Sequence, residues 1–183
     1  PSSLMGTMAS MRQAFLDAVH YALARSAWAA SPRGLRRPEY SPFLEALVPF
    51  VVDKKPVVFT CENQEDIKRA VRLAEEFELN AMLSGANEAW RVTGMLQKAR
   101  LPLFISLSFK PPATSLYSLQ GEELKKKAEA EIYPGNAAAL YKAGVPFALT
   151  TQGLALESDF LKNLQTAIIY GLPREEALKA LTI

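Results

Sequence analysis

The chain has 183 residues, 21 basic and 19 acidic side chains, a formal net charge of +2, one histidine and one cysteine. This length allows one ordinary domain or part of a larger one, and 49% apolar residues is typical of a folded globular chain rather than a disordered or collagen-like one. The small net charge gives no reason to expect a nucleic-acid or membrane partner, one cysteine excludes an internal disulfide, and one histidine excludes a metal site needing two histidines from this chain.

Residues 1–55 predict a helical lead-in segment. Ser3 to Ala30 lacks proline, and its apolar residues recur at three- and four-residue spacing, which predicts one amphipathic helix. A loop is expected over Ser31 to Pro42, which holds three prolines and a glycine. Ser41 can then cap a short helix that runs from Pro42 through Leu47. The apolar face of the first helix is expected at Leu4, Met8, Met11, Phe15, Val19 and Leu23.

The sequence carries few signals of cellular location. The chain begins with Pro1 rather than Met, so we expect that Pro1 is not the natural start, and no signal-peptide pattern is visible. The longest apolar run, Ala46 to Val52, is far shorter than the ~18 residues that a membrane helix needs and contains Pro49. We therefore expect no membrane partner, and the sequence predicts no particular compartment.

Between residues 56 and 172, four short apolar runs alternate with helical patterns. Because each run is continuously apolar, it predicts a strand buried on both faces, within a parallel sheet covered by helices: an α/β fold. The strands are expected at Pro56–Thr60, Asn80–Gly85, Leu101–Phe109 and Val145–Thr151. Helices are expected at Glu65–Glu78, Asn87–Ala99, Glu122–Tyr133, Asn136–Gly144 (closed by its glycine) and Glu157–Gly171 (with Ser158 as N-cap), and a C-terminal helix over 173–183.

The carboxyl ends of the four predicted strands are the places where parallel α/β folds build their chemistry. Glu62 and Glu88 are the only carboxylates close to these ends. Together they could serve a paired-carboxylate hydrolase, but we expect Glu88 rather to cap or solvate the second helix. The other residues there are small, polar and mostly uncharged: Thr60 to Asn63, Ser84 to Asn87, Ser106 to Ser108, and Thr150 to Gly153.

The remaining candidate residues favour ordinary structural roles. His20 has no second histidine at helical spacing and is expected at the surface or in packing, and Cys61 is expected as a small buried side chain. The lysines at 125–127 alternate with glutamates and predict a solvated helix face. Arg33, Arg36 and Arg37 could hold a phosphate, although a solvated loop is the simpler interpretation. The sequence contains no nucleophile elbow, phosphate-binding loop or dinucleotide-binding glycine motif.

The run PVVFTCENQEDIKRAVRLAEEFELNAMLSGANEAWRVTGMLQKARLPLFIS resembles the imidazolonepropionase-like branch of the amidohydrolase superfamily. In that branch the first part reads approximately P-V-x-I-H-A-H-x-x-x-D-I-x-x-A-L-R-L-A-x-E-F-x-L. The later runs NAAALYKAGVPFALTT and GLPREEALKALTI are similar to it as well. The resemblance covers roughly Gly6 to Ile183 and is strongest in the helices.

The resemblance implies part of a (β/α)₈ TIM-type barrel, in which the four strands here correspond to the fifth to eighth. It also implies metal-assisted hydrolysis of C–N bonds, with zinc or another divalent metal as the family cofactor. The family metal ligands fall on Thr60 to Glu62 after the first strand here, on Gly85 after the second, and on Gln152 after the fourth. Threonine, glycine and glutamine cannot supply the imidazole and carboxylate set that holds zinc, so we expect no metal site in this chain.

Two expectations follow from the resemblance. The chain is half a barrel, and the remaining strands come from the same gene product or from a partner chain. The leading hypothesis is a pseudo-hydrolase that acts as a binding or stabilising module, for which a small-molecule ligand is a candidate. The alternative is an active hydrolase of C–N bonds other than peptide bonds, in which Thr60, Glu62 and Gln152 join ligands from the absent half. A transport or receptor domain has little beyond the missing motif to favour it.

Overall fold

The computed structural model describes residues 3–109 and 132–182. The helix predicted over Glu122–Tyr133 and the lysines at 125–127 lie outside these residues, apart from the last two positions of that helix. None of the described helices combines the length and apolar character needed to cross a membrane. The helices are α1 (Leu4–Ala30), α2 (Pro42–Val51), α3 (Gln64–Glu76), α4 (Thr93–Ala99), α5 (Asn136–Lys142), α6 (Asp159–Ile169) and α7 (Arg174–Lys179), with 3₁₀ helices at Ala89–Val92 and Tyr133–Gly135. The strands are β1 (Val57–Cys61), β2 (Ala81–Gly85), β3 (Leu103–Ser106) and β4 (Ala148–Thr150).

The four strands form one sheet in the order β1-β2-β3-β4, and they run parallel. Ser84 pairs with Phe104, and Phe104 pairs with Ala148, which fixes the register of the last three strands. The first pair is joined at both ends, because the Val57 N–H donates to Asn80 O and the Ala86 N–H donates to Cys61 O. The predicted α/β fold with four parallel strands is therefore confirmed, and it is consistent with part of a barrel.

The chain divides into two compact units. The first unit comprises Pro1–Val57 and Leu73–Asn80, and the second comprises Val58–Arg72 and Ala81–Ile183. Helix α3 accordingly begins in the second unit and ends in the first. The prediction of a helical lead-in before the first strand agrees with the helices α1 and α2.

The first unit buries a different part of α1 from the one predicted. Ala18 and Tyr21 are its buried residues, whereas Leu4 and Leu23 at the ends of the predicted apolar face are 56% and 65% exposed. The central residues of that face are only half-buried, and one of them, Phe15, makes an edge-to-face contact with Phe77 at 5.2 Å between ring centroids. Helix α1 is therefore long because its sequence favours helix, not because one continuous apolar stripe is covered.

Helix α2 begins where the sequence predicts and ends later. Ser41 caps it by accepting a hydrogen bond from the Leu44 N–H, as expected. The helix continues past Leu47 to Val51 with Pro49 inside it. A proline inside a helix removes one N–H donor from the helix ladder and crowds the carbonyl four residues earlier. The Val52 N–H still donates to Val48 O, and the Lys55 N–H donates to Pro49 O, so the last turn closes around the proline.

The core of the second unit lies on one face of the sheet. Side chains alternate between faces along a strand, and one set packs with the helices: Phe59, Cys61, Leu83, Leu103, Ile105 and Leu149. The other set is exposed or half-buried apart from Ser106, and Val58 is 55% exposed. The prediction that every strand is buried on both faces is therefore wrong. The helices of residues 3–109 and 132–182 cover one face only, and a continuous apolar run does not reveal which face that is.

Several elements are shorter than predicted, for local reasons. Strand β4 begins at Ala148 rather than Val145, because the Val145 N–H turns back to Leu140 O at the glycine-terminated end of α5. The second predicted helix begins as a 3₁₀ turn and becomes α-helical only at Thr93. Strand β3 covers only Leu103–Ser106 of the predicted Leu101–Phe109. Ser158 precedes α6, but its side chain makes no capping hydrogen bond.

Candidate functional site at the carboxyl ends of the strands

The carboxyl ends of the four strands meet at one end of the sheet. Gly85 pairs with Ile105, and Ser106 pairs with Thr150, while the Ala86 N–H donates to Cys61 O at 2.6 Å. The sequence predicts that Thr60, Gly85, Ser106 or Leu107, and Thr151 or Gln152 lie at the same end of one parallel sheet, and this is confirmed. This shared end brings polar residues together that are far apart in the sequence, such as Ser84 and Gln152, which are 68 positions apart.

Three strand ends are joined by a cluster of hydroxyl and amide groups, which we call the strand-end cluster. The Ser84 hydroxyl donates to the Gln152 side-chain carbonyl, and the Ser106 hydroxyl donates to the Gln152 backbone carbonyl at 2.5 Å. The Gln152 N–H donates to Thr150 Oγ1 at 3.3 Å, and the Ser108 N–H donates to Ser106 Oγ at 3.0 Å. Gln152 is therefore the hub of the cluster, which also contains Ser84, Ser106, Ser108 and Thr150.

Gly85 occupies a position in which no side chain fits. It is buried with φ +93°, and a Cβ built on it would lie 2.7 Å from the backbone oxygen of Cys61. The next residue, Ala86, also has positive φ, at +42°. Two successive left-handed residues turn the chain sharply at the end of β2, so that the Ala86 N–H reaches Cys61 O. At the position that the resemblance matches to a histidine, the structure thus has a glycine in close contact with backbone, and Ser84 supplies the neighbouring polar side chain.

The other two predicted site residues do not join the strand-end cluster. Thr60 and Glu62 are exposed, and within residues 3–109 and 132–182 neither side chain is hydrogen-bonded to it. The Glu62 N–H donates to Asp66 Oδ2 at 3.4 Å. Asn63 caps α3, because its Oδ1 accepts from the N–H groups of Glu65 and Asp66 at 3.0 and 2.9 Å. Glu62 therefore follows β1 in an ordered turn with its carboxylate in solvent.

Glu88 has a role that the sequence did not reveal. Its side chain is buried, with 7% exposure, and its two carboxylate oxygens accept from the Gln64 N–H and the Tyr133 hydroxyl, each at 2.9 Å. It therefore caps α3 from another segment, and the expectation that it caps or solvates the second helix is wrong. A pairing of Glu62 with Glu88 for hydrolysis is not supported either, because one carboxylate is exposed and the other is buried among its own partners.

A second buried polar residue supports the same region. Asn136 is 4% exposed, its Nδ2 donates to Ala86 O, and its Oδ1 accepts from the Trp90 N–H, both at 3.0 Å. The two residues it contacts lie 50 and 46 positions earlier in the chain. Spacing alone could not have identified Asn136 or Glu88. Both side chains form hydrogen bonds with backbone groups that only the folded chain brings close.

The residues around the strand ends do not fit a zinc ion. Zinc in proteins takes imidazole, thiolate and carboxylate ligands, whereas the strand-end cluster offers hydroxyl and neutral amide oxygens that already bond to one another. In the described part of the chain, no group of three or more histidine, cysteine, aspartate or glutamate side chains is placed to hold a metal ion. The only histidine, His20, is exposed on α1, as predicted.

Cys61, at the end of β1, is buried at 1% exposure, as predicted. Burial raises the pKa of its thiol to about 12, with a further contribution from the charge of Asp66. The thiolate is the reactive form of cysteine. Cys61 is therefore unsuited to act as a nucleophile near neutral pH.

The raised pKa of Cys61 predicts a loss of stability at high pH. The unfolded chain releases the thiol proton near the ordinary pKa, whereas the folded chain retains it, so stability is lost as the pH rises from about 9 towards 12. We expect the free energy of unfolding of the natural protein, relative to Cys61→Ala, to fall by about 1 kcal/mol between pH 7.5 and 10. Urea unfolding of both proteins at both pH values measures this, and an unchanged difference would contradict it.

Comparisons with known proteins give one clear similarity. No family model matches the chain, and no curated protein matches it. Among solved structures, it is similar to the crystal structure of an amidohydrolase from Thermotoga maritima MSB8, with 27% sequence identity and a TM-score of 0.73. The similarity covers 100% of this chain and 44% of that protein. The chain thus spans less than half the length of the structure it matches.

Proposed function

Since the structural similarity supports the amidohydrolase superfamily, we propose that this chain forms half of the barrel of an amidohydrolase-like protein that binds rather than hydrolyses. The proposal includes the imidazolonepropionase-like branch and the correspondence of β1–β4 to the fifth to eighth barrel strands, on the resemblance of their sequence runs. Its support is the parallel four-stranded sheet, together with the similarity of the whole chain, at 27% sequence identity, to part of an amidohydrolase structure.

The observation that carries the proposal is the strand-end cluster. A hydrolytic serine needs a neighbouring base to take its proton. Here the Ser84 hydroxyl donates to a neutral amide, and the Ser106 hydroxyl donates to a backbone carbonyl, so neither is activated. No metal ligand is present in the cluster to polarise a carbonyl or to lower the pKa of water. Such groups can hydrogen-bond a polar small molecule but cannot perform the family reaction.

The partner that we propose is the remaining half of the barrel, from the same gene product or from another chain. The sheet face opposite the helices carries Val58, Met82, Phe104 and Ala148, which are exposed or half-buried. A groove of about 270 Å³ opens at the start of β3 and β4, and apart from Arg100 its lining is apolar. Further strands packed against this face would remove it from water. No nucleic-acid partner is proposed.

The alternative function is an active hydrolase of C–N bonds other than peptide bonds. In that case Thr60, Glu62 and Gln152 would join ligands from the rest of the protein to hold zinc or another divalent metal. The two functions predict different zinc binding by the full-length protein. The alternative requires the Glu62 carboxylate as a zinc ligand, whereas the proposed binding function includes no metal.

The test is a zinc titration of the full-length protein, its Glu62→Ala variant and a control, Glu157→Ala, which removes another exposed carboxylate. The proposal predicts no stoichiometric zinc site, with identical calorimetric titrations for all three proteins. Tight zinc binding at a 1:1 ratio that Glu62→Ala abolishes and Glu157→Ala retains would establish the alternative and overturn the proposal.

A further inference from the structure

The first unit contains a cleft of about 430 Å³ between α1 and the loop that precedes α2. A cavity of this size with aromatic walls and a few polar groups is typical of a small-molecule site. A second hollow of about 460 Å³ adjoins it, because Tyr21, Arg37 and Glu39 line both. We call the first the arginine–aromatic cleft, and its characteristic residues are Tyr21, Arg25, Trp28, Arg37, Glu39 and Tyr40.

The two arginines of the cleft differ in how they are held. Arg25 is neutralised, since it forms an ion pair with Glu45, which also accepts from the Tyr21 hydroxyl at 3.1 Å. Arg37 instead lies over the Trp28 ring, 5.3 Å from its centroid, and within the described residues it forms no salt bridge. A guanidinium held over an aromatic ring by cation–π attraction keeps its positive charge and can still donate N–H hydrogen bonds to a ligand. Arg37 is therefore positioned without being neutralised.

The charges around Arg37 define the ligand that the cleft can accept. Arg36 lines the adjoining hollow and adds a second guanidinium, while Asp17 and Glu39 add carboxylates. These carboxylates repel a dianion such as phosphate more strongly than a monoanion, and a single carboxylate can be paired by one guanidinium fork. Trp28 and Tyr40 line the cleft with aromatic rings, and Tyr40 is 70% exposed, so the flat portion of a ligand can contact them.

We propose that the arginine–aromatic cleft binds a small planar carboxylate, with Arg37 pairing the carboxylate group and the aromatic side chains contacting the flat portion. The three arginines of this loop differ in position, because Arg36 and Arg37 line these two cavities and Arg33 lines neither. This site is independent of the strand-end cluster, and its failure would leave the proposed function unaffected.

The test uses benzoate as the probe, with the full-length protein in a Trp90→Phe background, so that Trp28 is the only tryptophan of residues 1–183. We expect benzoate to change Trp28 fluorescence saturably. We expect neutral benzamide and inorganic phosphate to bind at least about tenfold more weakly, because each lacks one feature of a planar monoanion. Benzamide binding as tightly as benzoate, or the absence of a saturable benzoate signal, would overturn the proposal.

Matched variants locate the site. Arg37→Gln should raise the Kd for benzoate about tenfold, whereas Arg33→Gln should leave it within about twofold, since Arg33 carries the same charge in the same loop outside the cleft. Tyr40→Ser, at a mostly exposed residue, should raise the Kd severalfold without affecting the fold. Equal weakening by Arg33→Gln and Arg37→Gln, or unchanged binding by both Arg37→Gln and Tyr40→Ser, would place the ligand elsewhere and refute the proposal.

Discussion

Gly85→Ala should destabilise the protein by about 3 kcal/mol or more, which is at the upper end for a single substitution. The added Cβ would lie 2.7 Å from the Cys61 backbone oxygen, and backbone cannot yield as a flexible side chain does. The residue would also keep a φ of +93°, which side chains rarely adopt. Relief of the contact would separate the Ala86 N–H from Cys61 O, which joins the ends of β1 and β2.

Gly94→Ala is the matched control for this prediction. Gly94 lies in α4, and a Cβ built on it would meet no atom within 4 Å. Alanine is the better helix former, so we expect unchanged stability or a gain of up to about 1 kcal/mol. Urea unfolding followed by circular dichroism measures both variants. Equal midpoints for the two would mean that the close approach at the end of β2 is not as described.

The second large effect is expected at Glu88. Glu88→Ala should cost about 3 kcal/mol, because it leaves the Tyr133 hydroxyl and the Gln64 N–H without their shared acceptor in a buried place. Glu88→Gln should cost less, since the side-chain carbonyl can still accept one of the two bonds. Glu75→Ala, at an exposed position of α3, is the control and should change stability by less than about 0.5 kcal/mol.

A double-mutant cycle with Tyr133→Phe isolates the contact. Because the hydroxyl and the carboxylate are 2.9 Å apart, we expect the two single changes to be non-additive by about 1 kcal/mol or more. Additive effects of Glu88→Ala and Tyr133→Phe on the free energy of unfolding would show that these residues do not share a bond. Unlike the Gly85 test, this cycle examines a link between distant segments of the second unit.

Local rules predicted much of the fold. The Ser41 cap, the glycine end of α5 and the alternation of strands with helices depend on neighbouring residues, and the structure has all three. The exposed face of β1 was not predicted, because Val58 is as apolar as its half-buried neighbours and its burial depends on what packs against the sheet. Strand β4 begins later than predicted because the Val145 N–H donates to Leu140 O, which lies outside the sheet.

The candidate site could be predicted only in part. The strand ends were located from the pattern of strands, and the resemblance singled out Gln152 among them. Its use as the hub of a cluster depends on hydroxyls from two other strands, Ser84 and Ser106, which only the sheet register brings together. The Glu88 contacts were not predicted for the same reason, since its partners lie 24 positions earlier and 45 positions later in the chain.

We propose that the strand ends of this chain belong to a protein without a catalytic metal. The most direct test of this proposal is the metal content of the full-length protein, purified from metal-supplemented cells without chelators and analysed by elemental mass spectrometry. We expect zinc, iron and manganese far below one ion per molecule. One tightly held ion per molecule, released in the Glu62→Ala variant, would contradict it.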